Sequence, residues 1–228
     1  MARRRSILAL ALLTLVTLNI AMIALAVAGY PGFFSQPGAR TFVVEPVCAL
    51  AAYAVAVVWI TSMRRAHWDT ILGTATLFGL LGGSFEILNI GIENGIPFAV
   101  HGPVLQIGSI LVLFTSWGVA GFRTARSLTS IRAGLFTAVS SAGICMLIAV
   151  SAGFCMQFFL VPPEPAYVST WAEFTRSRWT DARAFGVANT LDAGFTHLVV
   201  APVVALLFGG VASSLAQFRP SKTVPTAP

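Results

Sequence analysis

The 228-residue chain is 57% hydrophobic and only 10% charged, with a mean hydropathy of +0.84. A soluble domain carries roughly 25% charge, so soluble, disordered, fibrous and nucleic-acid-binding classes are excluded and an all-α polytopic membrane protein remains. The formal net charge of +6, from 14 Lys and Arg against 8 Asp and Glu, reads as membrane topology, because basic residues gather in cytoplasmic loops.

The chain opens Arg3-Arg4-Arg5 and continues as an apolar run from Ser6 to Gly29. Basic residues before an apolar stretch also mark signal peptides, and Ala26-Val27-Ala28 has the small residues of a cleavage site. A signal core is about 7–15 residues long, however. This run has the length of a spanning helix, so it is expected to stay as an uncleaved anchor. The remaining predicted spans are Thr41–Ser62, Thr70–Ile92, Pro103–Phe122, Ala133–Val161 and Leu191–Ala216. At about 1.5 Å per residue, each crosses a hydrocarbon core of roughly 30 Å. They must be helices, because backbone groups in lipid are satisfied within the segment, and they are too long for barrel strands. The fifth is long and must tilt, protrude or break, for which Ser151-Ala152-Gly153 is the candidate point. The six form one transmembrane domain over 1–218, followed by a polar cytoplasmic tail over 219–228.

No Lys or Arg falls inside a span. With the N-terminus inside, Arg3, Arg4, Arg5, Arg64, Arg65, Arg123, Arg126, Arg132, Arg219 and Lys222 are cytoplasmic, against Arg40, Arg176, Arg178 and Arg183 outside. This bias predicts both termini in the cytoplasm of a bacterial-type inner (plasma) membrane. It also places Trp59, Trp68 and Trp117 near the inner interface. The long outer connection, Pro162 to Thr190, begins with a stiff Pro162-Pro163-Glu164-Pro165. The capping-box spacing of Thr170 and Glu173 predicts a short interfacial helix from Trp171 to about Phe185. Asn189 is the expected cap of the last span, with Asp192 in its first turn. Cys48, Cys145 and Cys155 lie in apolar runs without CxxC spacing, which favours small buried core residues over a disulfide framework or thiolate site.

Only three charged residues fall inside spans: Glu45, Glu86 and Asp192. Ionisable groups are expensive in a membrane and mark functional candidates. All three lie toward the outer side. Glu86 and His197 are each six residues from the outer ends of their predicted spans, about 9 Å deep. Asn89, Gln106 and Gln157 share that layer, and Glu93, Asn94 and His101 bracket a loop above it, Glu93 to Pro103. Glu86, Asn89 and Glu93 fall on one helix face, which Gly79, Gly82 and Gly83 continue downward. Small residues permit close packing in lipid, so this face points into the bundle. A neutral Glu86 bonded to a neighbouring helix is the structural alternative. Asp192 and His197 are about 140° apart around their helix and form no i,i+4 metal pair. Pro202 frees a backbone carbonyl near His197 and Leu198, which a neighbour must satisfy.

The expected site is therefore an outward-facing intramembrane pocket. Its catalytic candidates are Glu86, His197 and Asp192, and its lining is Glu45, Asn89, Glu93, Gln106 and Gln157. His197, Glu86 and His101 could hold a divalent metal whose bound water attacks an ester, amide or phosphate. A metal-free route has Glu86 protonate an alkene or epoxide of a lipid. Either describes a membrane-embedded hydrolase or lipid-modifying enzyme acting on membrane lipids or another amphiphile. No HExxH or GxSxG motif supports either. The alternative is a non-catalytic accessory subunit of a homo-oligomer or larger membrane complex, binding lipid, pigment or haem. A bis-histidine haem is disfavoured because His101 lies near the surface, and a proton-coupled transporter because the polar layer is one-sided.

Overall fold

The computed structural model describes residues 2–63, 67–95 and 98–218, with only the backbone at 2, 95 and 98–106. Its helices are α1 (Ala2–Ala28), α2 (Ala39–Ser62), α3 (Trp68–Gly95), α4 (Phe98–Leu128), α5 (Ile131–Cys155), α6 (Pro165–Val168), α7 (Ala172–Ser177) and α8 (Ala182–Leu215). Six of these, α1 to α5 and α8, are long and apolar enough to cross a membrane. The chain is thus an all-helical bundle compatible with a multi-pass membrane protein. Leu10, Leu25, Val55, Leu81, Leu111 and Leu207 lie exposed around it, as expected where the solvent for the outer surface is hydrocarbon.

The centre is α5. It packs against α3, α4, α8 and α1, while α2 lies across α1 and α8. Its Ala138, Ala142, Cys145, Leu147 and Phe154 are almost wholly buried. A helix apolar on every side belongs inside a bundle. Glycines set the spacing: a Cβ on Gly134 would stand 2.3 Å from the Ser213 hydroxyl and 2.6 Å from the Gly121 carbonyl oxygen. A Cβ on Gly209 would meet that of Ala138 at 2.4 Å. In lipid, such close approach supplies the packing that water-driven burial supplies elsewhere.

The first helix is built into this core. Leu12, Val16, Asn19 and Ile23 are buried, and the Asn19 amide donates to the Ser151 hydroxyl of α5 at 2.7 Å. Arg5 anchors its N-terminal end, with Nε 2.6 Å from Asp69 Oδ1 and Nη1 2.6 Å from the Met63 carbonyl.

Several boundaries differ from the sequence reading. α5 is α-helical through Ser151–Gly153 and changes only afterwards, into a π-helical turn at Met156–Leu160. The expected Trp171–Phe185 helix is split. α7 ends at Ser177, with Arg178 left-handed at φ 64°, and α8 begins at Ala182. Thr170 caps nothing, because the residue before α7 is Trp171 and no side chain caps it. Asp181 caps α8 instead, accepting from the Arg183 and Ala184 amides, so Asn189 and Asp192 lie within the helix. The reason is aromatic packing. Trp179 is buried among Phe33, Phe42 and Phe185, at ring separations of 5.6, 5.8 and 5.6 Å, and donates to the Pro37 carbonyl. That plug ties the 162–181 connection to the α1–α2 connection at one end of the bundle, here the loop end. The opposite end carries the Arg5–Asp69 pair. Trp117, expected near the inner interface, packs inside the bundle. It is fully buried, beside Phe114 at 5.6 Å. Cys145 is buried as expected, but Cys48 and Cys155 are exposed. The expected tail, 219–228, lies outside the described residues.

Candidate functional site

The glycine face of α3 meets α5 directly. A Cβ on Gly79 would reach Ile144 at 2.7 Å, one on Gly82 the Cys145 sulfur at 3.1 Å, and one on Gly83 the Ile148 Cβ at 2.9 Å. Glu86 follows one turn later on that face and is only 8% exposed. No group hydrogen-bonds its carboxyl among the described residues. A buried charged or polar group without a partner is costly, which makes Glu86 the candidate on which the site is built.

His197 lies on α8. α3 and α8 do not pack on each other; α4 and α5 lie between them. Each residue is 18 positions from the end of its helix opposite the loops, Trp68 and Leu215. At helical rise that is a common depth of about 27 Å. The His197 Nδ1 lies 2.7 Å from the Ala193 carbonyl oxygen. A carbonyl only accepts, so Nδ1 carries the proton and Nε2 of the neutral ring has a free lone pair. The ring is exposed on the outer surface of α8, so a ligand can reach it from the side of the bundle.

Toward the loop end, the polar residues bond to one another both between elements and within α3. The Ser109 hydroxyl of α4 donates to Asn89 Oδ1 at 2.8 Å, and Asn89 Nδ2 donates to Glu93 Oε1 at 3.1 Å. The Gln157 amide, in the π-helical turn, donates to Asn94 Oδ1, and Asn94 donates to the Ile90 carbonyl at 2.8 Å. Asn89 and Gln157 therefore join elements of the bundle. Glu93 and Asp192 are exposed and Glu45 is half-buried. His101 lies within α4 rather than in a loop, because the α3–α4 connection is only residues 96–97. The side chains of His101 and Gln106 lie outside the described residues. Among the described residues, no three His, Cys, Asp or Glu side chains gather as a metal would require.

Two neighbours of the site have no signal in the sequence. Tyr53 of α2 donates to the Leu198 carbonyl at 2.8 Å. This is the carbonyl left without its helical donor by Pro202, four residues on. Cys145 lies within electrostatic range of both Tyr53 and Glu86. Nothing in either residue's local sequence marks it, since one is an aromatic and the other a small residue in an apolar run.

Compared with protein-family models, with curated proteins and with solved structures, the chain matches none.

Proposed function

We propose that this is a multi-pass protein of a bacterial-type inner membrane, with both termini cytoplasmic and α1 retained. On this reading it binds a lipid or other amphiphile in the outer half of the bilayer and acts on it with one of Glu86 and His197 giving a proton to the reacting group and the other taking one from it. The ten-to-four distribution of basic residues supports the orientation, which makes the loop end the outer end. The packing of Asn19 and Arg5 supports a permanent first helix.

One observation carries the site: the buried Glu86, with no hydrogen-bond partner among the described residues, and the exposed His197 lie at a common depth on α3 and α8. A carboxylic acid and a neutral imidazole at one depth form a general acid–base pair. An amphiphile lying in the leaflet would present its polar group there while its chains stay in lipid. Glu86 would deliver or remove the proton at the reacting atom and His197 would do the reverse. Asp192, exposed about 8 Å nearer the loop end at helical rise, would lie at head-group level rather than at the chemistry.

The test is lipid profiling of cells that express the wild type, Glu86→Gln, His197→Gln and, as a control distant in the loop helix α7, Glu173→Gln. We expect one lipid class to change with the wild type and with Glu173→Gln, and to return to background with the other two. If no lipid responds to any variant while a stable partner co-purifies in mild detergent, the accessory-subunit reading replaces this one. Stoichiometric zinc, iron or manganese in purified protein, lost in the Glu86→Gln, His197→Gln double variant, would replace the metal-free route with the metal-assisted one.

A further inference from the structure

A second site lies at the loop end, with neither Glu86 nor His197 in its walls. A cavity of about 290 Å³ is enclosed by the end of α1, the π-helical turn, the proline-rich strap 162–165 and the first turns of α8. Its polar lining residues are Glu164 and Arg183, both exposed, with Tyr30 and Gln157, and Phe158 and Gly186 complete the wall. π-helical turns occur preferentially at functional sites. This one is held in place by the Gln157–Asn94 bond. Prolines at 162, 163 and 165 stiffen the strap that carries Glu164.

Two features identify the ligand. First, Glu164 and Arg183 are opposite charges on one cavity, and neither is in an ion pair among the described residues. A cavity presenting both signs complements a zwitterion, with ammonium at Glu164 and an anion at Arg183. Its volume is at the small end for ligand pockets, roughly 300–1,000 Å³, which fits a head group and not a whole lipid. Second, Tyr30 also lines a separate groove of about 440 Å³ between α1 and α2. The groove is walled by apolar side chains, among them Ile23, Val27, Phe34 and Val43. A cleft carrying charges of both signs and an apolar groove therefore share one residue just past the end of a spanning helix.

We propose that the two together bind one zwitterionic phospholipid carrying a primary amine. The ammonium meets Glu164, the phosphate meets Arg183 and the Tyr30 hydroxyl, and an acyl chain lies in the groove along α1. This site is independent of the acid–base pair and stands whether or not that pair is catalytic.

The experiment uses the full chain, purified in mild detergent and stripped of lipid. Binding of phosphatidylethanolamine and of phosphatidylglycerol with identical chains is measured by native mass spectrometry, with thermal unfolding as the check that each variant is folded. We expect about tenfold tighter binding of the ethanolamine lipid, the size of effect a charge-assisted contact supplies. Glu164→Gln abolishes that preference, Arg183→Gln weakens both lipids about tenfold, and Arg176→Gln, which lines neither space, changes nothing. Equal binding of the two lipids by the wild type, or a preference that survives Glu164→Gln, overturns the head-group assignment. Chain-free glycerophosphoethanolamine competing as well as the intact lipid overturns the part assigned to the groove.

Discussion

The bond from Tyr53 to the Leu198 carbonyl permits a test in which two substitutions should cancel. Pro202 has no N–H, so the Leu198 carbonyl lacks its intrahelical donor, and Tyr53 Oη supplies one from α2 at 2.8 Å. Interhelical hydrogen bonds in membrane proteins contribute about 0.6 kcal/mol on average and up to roughly 1.7. Leaving a buried acceptor bare costs about 1–3 kcal/mol. Among the described residues Tyr53 is the donor that replaces the missing amide, so the cost of Tyr53→Phe should lie near the overlap, about 1.5 kcal/mol. In a Pro202→Ala background the amide of residue 202 reaches Leu198, and the same Tyr53→Phe change should cost about 0.5 kcal/mol or less. The coupling is then about 1 kcal/mol, roughly a fivefold change in the unfolding equilibrium. Reversible unfolding in mixed detergent–SDS micelles, measured on the four proteins of the cycle, reads it directly. Equal costs of Tyr53→Phe in both backgrounds would refute the reasoning, because Tyr53 would then not be replacing the donor that Pro202 lacks.

Two further outcomes follow from packing. Gly134→Ala places a methyl against two backbone-anchored neighbours, the Gly121 carbonyl and the Ala125 Cβ at 2.7 Å. It should destabilise by about 2–3 kcal/mol in the same assay, whereas Gly91→Ala, with nothing within 4 Å, should be neutral or stabilising by up to about 1 kcal/mol; a harmless Gly134→Ala would show that α4, α5 and α8 do not cross closely there. Cys48 and Cys155 are exposed and Cys145 is buried, so peptide mapping after N-ethylmaleimide treatment in detergent should find the first two labelled and Cys145 protected until SDS is added. Labelling of Cys145 in the folded protein would contradict the buried α3–α5 contact.

The setting of Glu86 was legible for one reason. An ionisable residue in an apolar run stands out at any position, so Glu86 could be singled out, and the Gly79, Gly82 and Gly83 pattern correctly placed its face against a neighbouring helix. Pro202 likewise announced a carbonyl in need of a donor. The donor itself was not legible, because a tyrosine in α2 carries no mark of what it will meet 145 residues later. The same holds for Asn89 and Gln157. Their depth suggested a common pocket, but their bonds to Ser109 and Asn94 depend on which helices adjoin. The loop end was misread because local caps at Thr170 and Asn189 were outcompeted by the aromatic plug around Trp179, whose partners are far away in sequence.

By itself, then, the sequence determined the membrane class, the six apolar helices and the rarity of charge within them, because partition into hydrocarbon depends on the composition of each segment alone. Only the tertiary structure decided that α5 is the centre, that Tyr53 meets the Leu198 carbonyl, and that Glu164, Arg183 and Tyr30 line one cleft. In water, an amphipathic stripe tells a helix which side to bury. In lipid both sides are apolar, so the inner face is chosen by how closely small residues let backbones approach, and that choice belongs to pairs of helices.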